Sequence, residues 1–184
     1  DGYVFSAENS NPSNNTAITL YSNLKPHTRE ELNIIDIPSR ASDKGYGLEL
    51  AKILGQYSSA KSISPVEITN SMYETKDYSD VNKISTLKQS YLNEVTSLLL
   101  VRVPKDIAVS HLNLINNLDR MSQLLENIAK IESDELTAIT STRQFALETE
   151  IQIAILREIN KYYTDKNISF GSVEKANVYA NIIQ

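Results

Sequence analysis

Two histidines, a set of helical carboxylates and ten tyrosines are the side chains of this sequence best able to do chemistry. His111 is the most pointed of them. It stands in a run of apolar residues, four after Ile107 and three before Leu114, where a helix would turn a leucine inward. An imidazole there is either a metal ligand or proton-responsive switch, or a core histidine bonded to a neighbouring helix. No HxxxH or ExxH spacing surrounds it, and the other histidine, His27, lies in an irregular stretch. The core reading is preferred, so no metal site is expected.

Glu148, Glu150 and Glu158 fall on one helical segment, and Asp119 and Glu126 on another. Glutamates on facing helices can hold a di-metal centre, but such centres need Glu-x-x-His pairs, and the later segment has no histidine. These acids are expected to form a solvated face. Glu126 and Lys130 are spaced for a surface pair. The tyrosines, against 3 Phe and no Trp, could make a binding surface. They are expected to cap the bundle edges with their hydroxyls in water. No Gly-x-Ser-x-Gly elbow and no glycine-rich phosphate loop is present. With no cysteine, disulfides and thiolate chemistry are excluded. The expectation is a chain that is not an enzyme and takes no cofactor.

The elements that must position these residues are helices. Ile84, Leu87, Tyr91, Val95 and Leu98 recur at helical spacing, and Ile107, Leu114, Leu118, Met121, Leu125 and Ile128 resume it after Pro104. Seams of this kind are buried against other helices. A first helix is expected over 43–59. A second opens at Ser64-Pro65-Val66-Glu67, a capping box with proline at the first helical position, backed by an Ile63–Ile68 staple. A third is expected from 79 or 80 to about 103. Pro104 then makes a tight corner into a fourth, 105–131. A fifth, over 135–163, is apolar on most faces at 151–156, which places it centrally. The fold class predicted is all-α, an antiparallel bundle of four to five helices with an extended N-terminal segment. The domain reading is a linker or stalk over 1–42, the bundle over 43–172, and a tail or short helix over 173–184. Residues 1–16 are rich in Asn and Ser. Within 17–37, two short runs read as extended packing or a small hairpin. Asn14-Asn15-Thr16 and Asn167-Ile168-Ser169 match the glycosylation triplet by chance.

A net charge of −5 argues against nucleic acid and against docking on anionic lipid. No run reaches the ~18 apolar residues of a membrane span.

The stretch Tyr91 … Leu99-Leu100-Val101-Arg102-Val103-Pro104-Lys105-Asp106-Ile107-Ala108 … His111-Leu112 … Ile115-Asn116 resembles a pattern in uncharacterised bacterial proteins with a single N-terminal membrane helix, a linker and a helical domain. The Lys166-Asn167-Ile168-Ser169-Phe170 turn and the Leu32-Asn33-Ile34-Ile35-Asp36 segment are similar too. The resemblance implies a membrane-tethered extracytoplasmic bundle, on the outer face of the cell envelope, anchored by an N-terminal segment that precedes this chain and has been removed. It carries over no functional residues. The functional expectation is surface architecture or protein interaction, with a protein partner or self-association. The alternative is a sensory or small-ligand-binding ectodomain. A filled core with an exposed apolar patch favours the first, and an interhelical pocket with convergent polar groups the second.

Overall fold

A computed structural model describes residues 20–21, 24–58 and 63–170. Within them the chain is an all-α bundle of five helices, α1 (Arg40–Tyr57), α2 (Pro65–Thr75), α3 (Val81–Leu99), α4 (Ala108–Ile128) and α5 (Glu135–Asp165). Two short strands, β1 (Asn33–Ile35) and β2 (Arg102–Pro104), complete it. The Asn/Ser-rich stretch, the first glycosylation triplet and the expected tail at 173–184 lie outside the described residues.

The caps explain where helices begin. Ser39 caps α1, its side chain accepting the Ser42 N–H, so α1 opens three residues before the expected start. Asp134 caps α5 through the Thr137 N–H. Ser64 accepts the Glu67 N–H at 3.3 Å, with Pro65 in the first turn of α2. The reciprocal half of the expected box, from Glu67 back to the Ser64 backbone, does not form. Ser64→Ala should still cost about 1 kcal/mol, read as a lower urea midpoint. An unchanged midpoint would remove the cap from the account.

The seams are as read. Ile84, Leu87, Tyr91, Val95 and Leu98 of α3 are all buried, and so are Leu114, Leu118, Met121, Leu125 and Ile128 of α4. The central helix, however, is α4 and not α5. It also buries Ile115 and Leu124 completely, because it packs against α3 on one side and α5 on another. α5 leaves Leu136, Leu147 and Ile151 in solvent, so the apolar middle of α5 is not enclosed all round.

The junction at Pro104 is not a helix corner. α3 ends at Leu99, and residues 102–104 run extended as β2, pairing in parallel with β1 in the register Asn33↔Arg102, Ile34↔Val103, Ile35↔Pro104. Two influences favour the strand. Proline drives Val103 out of the helical region, and Val101 and Val103 bury fully once the backbone is extended. A single 3-10 turn, Lys105–Ile107, then leads into α4. The run at 32–37 is therefore a strand whose partner lies beyond three helices, not half of a hairpin. Ahead of β1 the chain is fastened to the bundle at His27, whose backbone Asn116 holds, and at the buried Leu32.

Candidate functional site

His111 is a core residue with no accessible surface. It enters from the first turn of α4 toward the end of α3. Its Nε2–H donates to the Leu98 carbonyl at 3.0 Å, so Nδ1 is the unprotonated nitrogen and accepts the Tyr46 hydroxyl of α1 at 3.1 Å. The Leu98 carbonyl, in the last turn of α3, also accepts the Val101 N–H at 3.1 Å, and the imidazole takes its other lone pair. The imidazole thus fills a gap in the seam and ties three helices. Burial holds its pKa down to about 4, opposed by the Leu98 carbonyl. Neither nitrogen is left for a ligand.

Around it the tyrosines are not edge caps. Tyr46, Tyr91 and Tyr163 are each at most 4% exposed. Tyr163 stacks on Tyr46 at 6.5 Å and takes Phe170 edge-on at 5.3 Å. Gly47 makes room for them, since a Cβ there would lie 2.8 Å from Phe170 Cζ and from the Tyr163 hydroxyl. Beside them the buried Asp43 carboxylate accepts the Tyr162 hydroxyl at 2.9 Å and faces Lys166, which also pairs with Asp106 at 2.6 Å. The ends of α1 and α5 are fastened there.

Glu148 departs most from its expected solvated face. It is 3% exposed, because it points from α5 into the joint with α4. Arg120 donates to Oε2 from Nε at 3.0 Å and pairs through Nη2 at 2.9 Å, and Asn117 Nδ2 donates to the same oxygen at 2.8 Å. Oε1 accepts Tyr21 OH at 3.0 Å and Gln144 Nε2 at 3.3 Å. Burial and the Glu148 charge push the Tyr21 hydroxyl pKa upward. The carboxylate is saturated with donors, which suits a structural clamp and leaves no lone pair to act as a base.

The N-terminal segment is held along α4 in the same way. Asn116 grips the His27 backbone twice, Oδ1 accepting its N–H at 2.7 Å and Nδ2 donating to its carbonyl at 3.1 Å. Asn127 donates to the Leu20 carbonyl at 2.9 Å. The His27 ring lies 2.8 Å from Glu31 and 3.8 Å from Asp119. Burial raises the Asp119 pKa, with His27 pulling it back. Among the described residues no three His, Asp or Glu gather closely enough to hold a metal ion. Glu126 is a surface acid as expected, 3.5 Å from both Lys130 and Lys88.

Two features are left for binding. The first is the outward side of α2 and α5. Of the eight large apolar residues left exposed among the described residues, five are on these two helices: Val66, Tyr73, Leu136, Leu147 and Ile151. Leu136, Leu147 and Ile151 are spaced by eleven and four, one stripe of α5. The second is a cleft of about 430 Å³ where the start of α2 meets α3 and α5, lined among others by Pro65, Leu87, Tyr91, Phe145, Thr149 and Gln152. Sequence reading had named neither. The signal for Glu148 and Gln152 was nevertheless present, since both fall on the buried α5 series Phe145, Glu148, Gln152, Ile155, Ile159. No helix of the described residues is long and apolar enough to cross a membrane. Compared with known protein families, with characterised proteins and with solved structures, the chain gives no match.

Proposed function

We propose that this chain is a non-enzymatic interaction module, tethered outside the cytoplasmic membrane, that builds surface architecture by self-association through the outward face of α5. One observation carries the self-association. The buried His111, Asp43 and Glu148 side chains are taken up in structural bonds, while the α5 stripe leaves Leu136 66%, Leu147 53% and Ile151 38% exposed. An unpartnered apolar stripe on a long helix is a natural helix-packing surface. At 31 residues α5 is about 46 Å long at ~1.5 Å per residue, enough for an extended helix–helix seam.

The charges on the same stripe favour a second copy of the chain over an unrelated partner. An antiparallel pair of α5 helices with its two-fold between Glu150 and Ile151 sets Arg143 opposite Glu158 at both ends and Leu147 opposite Ala154 between them. Between Arg143 and Glu158 that register is self-complementary, as an isologous interface must be. The tether rests on the sequence resemblance and on the Asn/Ser-rich lead-in.

Sedimentation equilibrium tests the association. The expected result is an average mass that rises with concentration above the 20.6 kDa of one chain, and a Leu147→Asp, Ile151→Asp double variant that stays at that mass. A wild-type chain that remains monomeric at submillimolar concentration would contradict the proposal.

A further inference from the structure

We propose that the cleft between α2, α3 and α5 is a binding site for a small uncharged aromatic molecule that carries a carboxamide. The inference goes beyond self-association and uses a different surface of α5. The cleft, at about 430 Å³, falls within the roughly 300–1,000 Å³ range of small-molecule sites.

Its walls set the ligand's body. Leu87, Tyr91 and Phe145 line it, and the two rings meet edge to face with centroids 6.1 Å apart. The cleft therefore has an aromatic part to its wall, the kind of surroundings in which a further aromatic ring packs. Tyr91 is 4% exposed and Phe145 5%, so both are fixed in the core and the wall is preformed.

Gln152 sets the ligand's polar group. It lines the cleft, is 9% exposed, and makes no hydrogen bond among the described residues. Its amide nitrogen and oxygen are not among the buried polar atoms left without a partner, so both reach the solvent of the cleft and are open to a ligand that enters it. Gln152 offers one acceptor and two donors, and another carboxamide satisfies both kinds at once, N–H to Oε1 and C=O from Nε2. The nearby Thr149 hydroxyl donates its proton to the Phe145 carbonyl at 2.9 Å, so Gln152 is the lining carboxamide that can both donate and accept.

The absence of charge in the ligand follows from the rest of the lining. No Lys, Arg, Asp or Glu lines the cleft among the described residues. The start of α2 borders it, but Pro65 has no N–H to offer and the Glu67 N–H is taken by Ser64. That leaves an anion the Val66 N–H alone in the first turn of α2, with no cationic side chain among the described lining.

The test uses the full chain and three matched probes: naphthylacetamide, naphthylacetate and methylnaphthalene. Binding is followed by two-dimensional NMR. The amide should give saturable shifts at Tyr91, Phe145, Thr149 and Gln152 with a Kd on the order of 1 mM or below, and bind about five-fold or more tighter than the other two. Gln152→Leu should keep methylnaphthalene binding and erase the preference for the amide. Ala146→Trp, at the exposed rim, should block all three while leaving the core resonances in place. Absence of saturable shifts would overturn the proposal, and so would an amide preference that survives in Gln152→Leu. Dimer formation by α5 is read separately by sedimentation, so either proposal can fail without the other.

Discussion

Glu148→Ala is expected to be the most damaging single substitution on the polar side of the core, lowering folding stability by about 3 kcal/mol. Removing one partner of a buried ion pair costs ~3–5 kcal/mol, because the other charge is left without compensation. Here Arg120 keeps 29% of its side chain exposed and can turn partly to water, which places the loss at the lower end. Asn117 is fully buried, and once the side-chain oxygen is gone its Nδ2 keeps only the Glu148 main-chain carbonyl, at 3.0 Å. The Tyr21 hydroxyl loses its acceptor too. Glu148→Gln keeps the shape and one oxygen, so it should cost less than alanine. Urea denaturation of the two variants beside the wild type reads the order directly. Equal midpoints for all three would mean that the carboxylate is no clamp.

His111 makes stability depend on pH in a predictable direction. In the unfolded chain the imidazole takes its proton near its ordinary pKa of about 6.5, and in the folded chain near 4. Between these values the unfolded state binds more protons, so stability falls as pH drops through the window and the loss is complete below it. At roughly 1.4 kcal/mol per pKa unit the span is about 3 kcal/mol. His111→Gln keeps some of the hydrogen bonding to Leu98 and Tyr46 and cannot take the proton. It should be less stable than wild type at pH 7 and close that gap by about 3 kcal/mol on going to pH 4. Groups common to both proteins cancel in the comparison. Parallel curves for the two proteins would place His111 in contact with water.

What was legible in the sequence was whatever depends on local spacing. The seams of α3 and α4, the Ser64 and Asp134 caps and the burial of His111 all follow from residues three and four apart. What was not legible depends on partners distant in the chain. Nothing near Pro104 announces that Ile34 will lie beside Val103, so the run 101–103 was assigned to a helix that stops at Leu99. Glu148 shows the same blindness in a charged residue. Its position on the α5 seam matched that of His111 on α4, but a glutamate is presumed solvated unless its donors are known, and Asn117, Arg120 and Tyr21 come from elsewhere. Tyr163 is buried rather than at the edge because its stacking on Tyr46 of α1 is invisible along α5 alone. The Gln152 cleft needs three helices before it exists.

The central claim is that α5 of one copy packs antiparallel on α5 of another, and disulfide trapping tests it most directly. The chain has no cysteine, so a single Glu150→Cys substitution places one thiol per chain beside the proposed two-fold. A matched Lys105→Cys variant places one at the exposed turn before α4. Under mild oxidation Glu150→Cys should convert rapidly to a covalent dimer, while Lys105→Cys should stay largely monomeric. Equal rates for the two, or no dimer from Glu150→Cys, would contradict the account.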